Sequence, residues 1–485
     1  MSASSRHSSR LKWTSWEWTG VGLLLSIVML GVISRSYNLP TVGRSIGFSL
    51  CGLFGIWSLV MWAMNRVRNP FPRTSCLLLG TVGFLGLWSL LYAIPLPAEW
   101  VLALSPPWRE SIDLLMQLGL LDAAPDRLPL GVAASEATAA FHQGLAMLCV
   151  TAGCLVLASQ ARGTFFLGGM VVGLALLETL VGLAVSALGT APRSHGVHLN
   201  SNHHAAAILM GMPVMLVWLL RRRRPVGDDG EYIEGSPHHR DQQIFFFCLG
   251  GAAMLAWLMA SSRGSLAALA VVALVWAPVE WIARERRRAR GSLGARMMPL
   301  AIVGALALLV TVFLIPAYRD RLADTEEAVA RWSYWQATLR GLQEEAMLGV
   351  GPGGVFYSIN RFLEGHASDL APTWSHNDYV QLLGEFGVVG FGIVALLALA
   401  SLVSMLMDAR CLREQSARQR ALWGAFVASA ATVLIHAATD FHLRSPLFAI
   451  QFLCLLCLIV THAQTYMFGT TGFERARESR REDNS

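Results

Sequence analysis

The residues whose types and spacing suit chemistry lie in the run Ser375-His376-Asn377-Asp378-Tyr379-Val380-Gln381-Leu382-Leu383-Gly384-Glu385. It is a dense polar cluster in a chain that is 54% hydrophobic and only 14% charged. A neutral histidine can take a proton from a hydroxyl near neutral pH. Ser375 and Asp378 have the S-x-x-D spacing of a capping box, with Pro372 just upstream, and predict a helix that starts at Ser375. His376 then falls in the first turn, where the helix dipole disfavours the imidazolium and free N–H groups attract phosphate. The place suits a base beside an anionic leaving group. Alone, His376 reads as an inert, hydrogen-bonded surface residue. The crowding of Asn377, Asp378, Gln381 and Glu385 into the same short helix argues for chemistry.

A second feature is Ser261-Ser262-Arg263-Gly264-Ser265, a tight turn between two apolar runs. An arginine there is costly unless it is paired or uses its charge. Its fork suits the oxygens of a diphosphate, although it could also snorkel to the headgroup level. Arg331, in Arg331-Trp332-Ser333-Tyr334-Trp335, is a second candidate cation or an interfacial arginine among aromatic anchors. Arg340, Arg361 and Arg444 are weaker candidates. Asn200-Ser201-Asn202-His203-His204 stands where a loop enters an apolar run, and its polar groups cap a helix or line a pocket for sugar hydroxyls.

Other chemistries find little support. The run Gly349-Val350-Gly351-Pro352-Gly353-Gly354 lacks the Lys-Ser/Thr ending of a nucleotide-binding loop. It reads as a tight turn where backbone must approach something closely. HExxH is absent and no metal site or cofactor is expected. Of the eight cysteines, Cys454 and Cys457 form a CxxC, but inside an apolar run, where two small packing residues are expected. None falls in an outward loop, so no structural disulfide is expected.

The elements that must position these residues are membrane spans. A bilayer needs about 20 apolar residues per helix. Such runs recur over the 485 residues at about 18–34, 45–64, 76–94, 138–158, 164–188, 204–220, 243–260, 264–283, 297–316, 386–407, 421–439 and 446–464. No small-residue cleavage site follows Ile33, so the first run is expected to be a retained helix. Most of the 38 lysines and arginines fall on the side of the N-terminus, including Arg221–Arg224 and Arg284–Arg290. The positive-inside rule then places both termini in the cytoplasm. The net charge of +6 comes from these signals and implies contact with anionic lipid rather than nucleic acid.

The expected fold class is an all-α polytopic membrane protein of about twelve transmembrane helices with a large helical extracytoplasmic loop. Its parts are a cytoplasmic N-terminus (1–17), a membrane domain (18–464) and a cytoplasmic tail (465–485). Two insertions, 95–137 and 317–385, face outward. The first should carry an amphipathic helix, Trp108 to Leu121, lying along the surface after Pro-rich turns. The second should carry a helix from Asp324 to Glu345. The segment Pro225–Gln243, with His238 and His239, is expected to be a polar linker.

The motifs Ser262-Arg263-Gly264, Arg331 with Trp335, Leu348-Gly349-Val350-Gly351-Pro352-Gly353, His376-Asn377-Asp378-Tyr379 and Glu385-Phe386-Gly387 resemble, in order and spacing, the O-antigen ligase and polymerase superfamily. Asn200-Ser201-Asn202-His203 resembles the family's Asn-rich entry to a middle span. The similarity runs from about 195 to 445. The resemblance implies a GT-C-like glycosyltransferase of the bacterial inner membrane, metal-independent and using no nucleotide sugar. A glycan on undecaprenyl diphosphate would pass, at the periplasmic face, to an acceptor hydroxyl of a glycan, lipid or protein. His376 would be the base. Arg263 and Arg331 would hold the diphosphate. Asn377, Asp378, Tyr379, Glu385, Asn200, Asn202 and His203 would support them. Within the superfamily a ligase-like protein of lipopolysaccharide assembly is the first reading, and a polysaccharide or exopolysaccharide polymerase fits the same motifs. A transporter or flippase for lipid-linked glycans is the rival from another class. It would place ionisable residues midway across the bilayer, whereas the span interiors here are nearly free of charge.

Overall fold

The computed structural model describes residues 14–36, 40–64, 73–189, 193–198, 200–220, 237–272, 320, 325–363, 373–408 and 417–461. The expected span 297–316, the arginine clusters Arg221–Arg224 and Arg284–Arg290, and the tail 465–485 lie outside the described residues.

Long apolar runs fold as helices because a helix satisfies its own backbone hydrogen bonds where water is absent. In chain order the described helices begin with α1 (Ser15–Ser36), α2 (Pro40–Ala63) and α3 (Arg73–Leu91). The 95–137 insertion follows, with strand β1 (Pro95–Pro97), α4 (Ala98–Leu104), α5 (Pro106–Gln117) and strand β2 (Arg127–Pro129). Then come α6 (Ala134–Ala158), α7 (Ala161–Ala187), α8 (Ser201–Leu220), α9 (Pro237–Met259) and α10 (Arg263–Val272). The last five are α11 (Glu326–Glu344), α12 (Val355–Phe362), α13 (Asp378–Asp408), α14 (Ala417–His436) and α15 (Pro446–Thr461). Among the described residues, six helices are long and apolar enough to cross a membrane, namely α1, α2, α3, α6, α7 and α13. The expected linker 225–243 is shorter than expected, because α9 already begins at Pro237 and takes in His238 and His239.

Helices α1, α2, α6, α7, α8, α9, α14 and α15 share one apolar core built around Phe54, Leu155, Leu167, Ile208, Trp257, Phe426 and Phe448. Ala205 to Met210 of α8 are all buried, so its N-terminal half is central. Leu25, Ile56, Leu87, Phe165, Leu180 and Leu396 are exposed on the outer faces, as helices that meet hydrocarbon require. Helix α3 packs on α6, and α13 packs on α3.

The 95–137 insertion is closed by a two-stranded antiparallel ladder in which Leu96 pairs with Leu128. Its helix α5 ends at Gln117, four residues before the expected Leu121, because the chain turns at Gly119 with φ 65°. Leu118 and Leu120 beyond it are exposed. Two side chains tie this region to the large loop. Tyr92 Oη donates to the Leu348 carbonyl, and Ser105 Oγ donates to the buried carboxylate of Glu345.

Within the large loop, α11 and α12 pack through Ala337, Val350, Val355 and Ile359. The glycine run between them reaches α13 at a break, where Gly387 has φ 64° and ψ −175°. A break frees backbone groups that must find partners. The Gly384 and Glu385 carbonyls accept from Val350 N and Gly351 N at 3.1 and 2.9 Å, and Val388 N donates to Ala346 O at 2.9 Å. Gly349 (φ 76°) makes this approach possible, since a Cβ there would lie 2.5 Å from both Gly384 O and Gly387 N. The expectation of close backbone contact at the glycine run is met. The span expected from 386 corresponds to the part of α13 beyond the break.

Candidate functional site

Four segments meet at the N-terminal end of α13. They are the turn into α10, the first turns of α11, the loop before α13 and the loop 437–445 after α14.

The loop before α13 departs from the expected capping box. The helix starts at Asp378, and Asn377 caps it: its Oδ1 accepts from Tyr379 N at 3.0 Å and Val380 N at 3.1 Å. Ser375 Oγ donates instead to the Asn377 carbonyl at 3.0 Å. His376 therefore precedes the helix, in the left-handed region at φ 53°. A non-glycine residue held there is strained and needs surroundings that over-determine it. Asp378 N donates to the Ala437 and Asp440 carbonyls at 2.9 and 3.1 Å, and Asp378 Oδ2 accepts from Leu443 N at 3.2 Å. Tyr379 Oη donates to the Leu434 carbonyl at 2.7 Å. The His376 ring lies edge-on to Phe441, with centroids 4.9 Å apart.

Asp440, in the 437–445 loop, is the group that sequence reasoning missed. It is fully buried and its Oδ1 lies 3.4 Å from His376 Nδ1. Phe441 N donates to Oδ1 at 2.9 Å, Asn202 Nδ2 donates to Oδ2, and Arg331 Nη2 stands 4.0 Å from Oδ2. Burial by itself pushes this carboxyl up. The His376 ring and the charges of His442, Arg331 and His203 outweigh burial and hold it well below the usual carboxylate range. An ionised carboxylate behind Nδ1 orients the ring and leaves Nε2 for a substrate proton. Its signal in the sequence is weak, an aspartate in the short stretch Thr439-Asp440-Phe441-His442 between two apolar runs.

The arginines converge on a second carboxylate, also missed. Arg263 Nη2 lies 3.1 Å from Glu327 Oε2, and Arg331 Nη2 lies 2.7 Å from Glu327 Oε1. Arg331 Nη1 also donates to the Thr439 carbonyl at 2.5 Å. Both arginines are partly exposed, 24% and 18%. Gly264 lets the start of α10 lie against α14, since a Cβ there would sit 2.5 Å from the His436 ring. The retrievable signal for Glu327 is its position four residues before Arg331 on one helix face.

Of the two roles expected here, capping falls to Asn200, while Asn202 is buried and holds other side chains. Asn200 Oδ1 caps α8, accepting from Asn202 N at 2.8 Å and His203 N at 3.3 Å. Asn202 holds Asp440, and its Oδ1 accepts from Arg193 at 3.1 Å. Arg193, not singled out from sequence, also donates to the Ala260 carbonyl at 3.0 and 2.9 Å, which fixes the turn that presents Arg263. His203 is buried against Phe441 and His442, behind the site rather than in its opening.

The remaining expected residues lie apart from His376. Glu385 Oε1 accepts from Gln381 Nε2 at 2.7 Å and Gly353 N at 3.1 Å, while Oε2 pairs with Arg444. Glu385 thus fixes the glycine run. Arg361 pairs with Glu110 and Glu344 at 2.7 and 3.2 Å, away from the site. Arg340 is exposed.

Among the described residues, His436, Asp440 and His442 form a buried group whose ligand atoms lie within 4.8 Å of one another. Burial keeps the His442 imidazole below its usual range. Asp440 already meets Asn202, Phe441 N and the His376 ring, so its oxygens are engaged without an ion. Deeper in α7, Glu178 is buried with His204 Nδ1 at 2.9 Å and His198 Nε2 at 3.6 Å. It is an exception to the near absence of charge inside the spans.

Residues 244–395 match the family model described as O-antigen ligase. The match supports the O-antigen ligase superfamily, read above from the motifs, and covers Arg263, Arg331, the glycine run and His376. Asp440 and Asn200–Asn202 lie outside it. No curated protein matches the chain.

Proposed function

We propose that this membrane protein transfers a glycan from undecaprenyl diphosphate to an acceptor hydroxyl at the periplasmic face of the inner membrane, with both termini in the cytoplasm. The observation that carries the reading is the meeting of three groups at one opening: His376 backed by ionised Asp440, and the two guanidinium groups of Arg263 and Arg331 around Glu327. The superfamily match supports glycan transfer in general.

The donor diphosphate displaces Glu327 from the two forks, which then bind its oxygens. His376 Nε2 takes the proton of the acceptor hydroxyl as that oxygen attacks the anomeric carbon. The bond from that carbon to the diphosphate oxygen breaks, and the charge of the departing lipid diphosphate is met by the arginines. Asp440 steadies the imidazolium. Each of these roles uses a side chain of this protein, and none calls on a nucleotide sugar or a metal.

The test is purified protein in a bilayer with lipid-linked donor and acceptor glycan. Transfer that is lost in His376→Ala, with normal protein level, is the expected result. Undiminished transfer in that variant removes His376 from the chemistry. Movement of the lipid-linked glycan across the bilayer without transfer replaces the enzyme by a flippase.

A further inference from the structure

A cavity of about 560 Å³ lies between α5, α11 and α12, on the side of the large loop away from Arg331. That volume is in the range of small-molecule sites. Three aromatic side chains line it, Trp108, Tyr357 and Phe362, together with Glu110, Glu344 and Arg361. Tyr357 is 54% exposed, so its ring face is accessible from the cavity side. The buried Nε1 donor of Trp108 has no hydrogen-bond partner.

We propose that this cavity binds a neutral sugar of the glycan substrate, remote from the reacting end. The proposal rests on the glycan-transfer reading above and names the part of the substrate that this second site takes. A sugar ring has an apolar C–H face and a rim of hydroxyls. The aromatic rings suit the face. The carboxylates suit the rim: Arg361 takes one oxygen each of Glu110 and Glu344, at 2.7 and 3.2 Å, and a carboxylate has about four lone-pair positions for donors.

Charge excludes the other parts of the substrate. Two carboxylates against one guanidinium repel a diphosphate or an acidic sugar. The cations that suit a diphosphate lie elsewhere, Arg331 at the other end of α11 and Arg263 at the start of α10. Arg331 and the cavity residue Gly341 are ten positions apart, or about 15 Å along the helix. The cavity thus lies beyond the reach of the sugar bonded to the diphosphate and takes one further along the chain. Because α5 supplies one wall, the 95–137 insertion becomes part of glycan recognition.

The experiment uses full-length protein in nanodiscs and short oligosaccharides cut from the host's own long-chain surface glycan, separated into neutral and acidic fractions. Binding is read by tryptophan fluorescence for the natural protein, Tyr357→Ala and Glu110→Gln, with transfer measured on the same samples. The expected result is saturable binding of the neutral fraction, weakened at least tenfold in Tyr357→Ala and severalfold in Glu110→Gln, and no competition by inorganic diphosphate. No binding of the neutral fraction overturns the proposal, as does equal affinity in both variants or displacement by diphosphate. Transfer by the natural protein with any of those results removes the sugar site and keeps the transfer reading. Binding as expected without transfer does the reverse.

Discussion

Two arginine–carboxylate groupings in this protein share the same chemistry and differ in their surroundings. Around Glu327, both partners are open to solvent, with the carboxylate 32% exposed and each oxygen facing a different arginine. Around Glu385 the carboxylate is 1% exposed and also holds Gln381 and the backbone of Gly353. An exposed pairing gains little and can exchange its anion. A buried carboxylate is costly to remove, because the donors gathered on it are left without an acceptor. The difference teaches that sequence position of an arginine says less about its role than what else its partner holds. Arg263 and Arg331 are available to a ligand, whereas Arg444 is part of the frame.

The contrast can be broken by substitution. The largest effect is expected at the base beside the open grouping: His376→Ala should lower transfer about 10²- to 10⁴-fold, the usual range for a general base, measured as kcat with lipid-linked donor. In the closed grouping, Glu385→Ala should cost about 3 kcal/mol of stability by removing the buried acceptor of Gln381, Gly353 N and Arg444. It would be read as a lower Tm in detergent, and an unchanged Tm would erase the distinction. In the open grouping, Arg331→Lys keeps charge and loses the fork, so transfer should fall about tenfold for one lost charge-assisted bond with Tm unchanged. Glu327→Gln should alter donor affinity by about severalfold, read as KM.

The smallest effect concerns Glu345, which burial pushes up to about 7 against the opposing hydrogen bond from Ser105. Its folded pKa lies above the unfolded value, so the folded protein binds the proton more tightly. Stability from this group is full below the unfolded carboxylate range and falls as pH rises to about 7. Tm should decline over that window, and Glu345→Gln should flatten the slope.

Much of the frame was legible because apolar length is a local property. The helices at 15–36, 40–63, 73–91, 134–158 and 161–187 lie where the hydropathy put them. The glycine run was also legible, since glycine at alternate positions signals close backbone approach. The site was half legible. Arg263, Arg331 and His376 carried their chemistry in their residue types, and the structure brings them together. The capping box was misread because S-x-x-D and N-x-x cap signals overlap at Ser375 and Asn377, and no local rule favours a left-handed histidine. Asp440 was invisible because its role depends on a loop 64 positions beyond His376 folding back onto it, which no periodicity records.

The break at Gly387 has a consequence for the bilayer. A span longer or shorter than the local hydrocarbon thickness responds by tilting. Here the large loop holds the chain on both sides of the break, at Gly384 and Glu385 before it and at Val388 and Val389 after it. A lean of the span would therefore be taken up beyond Val389. The start of the helix and the histidine before it would keep their orientation in membranes of different thickness.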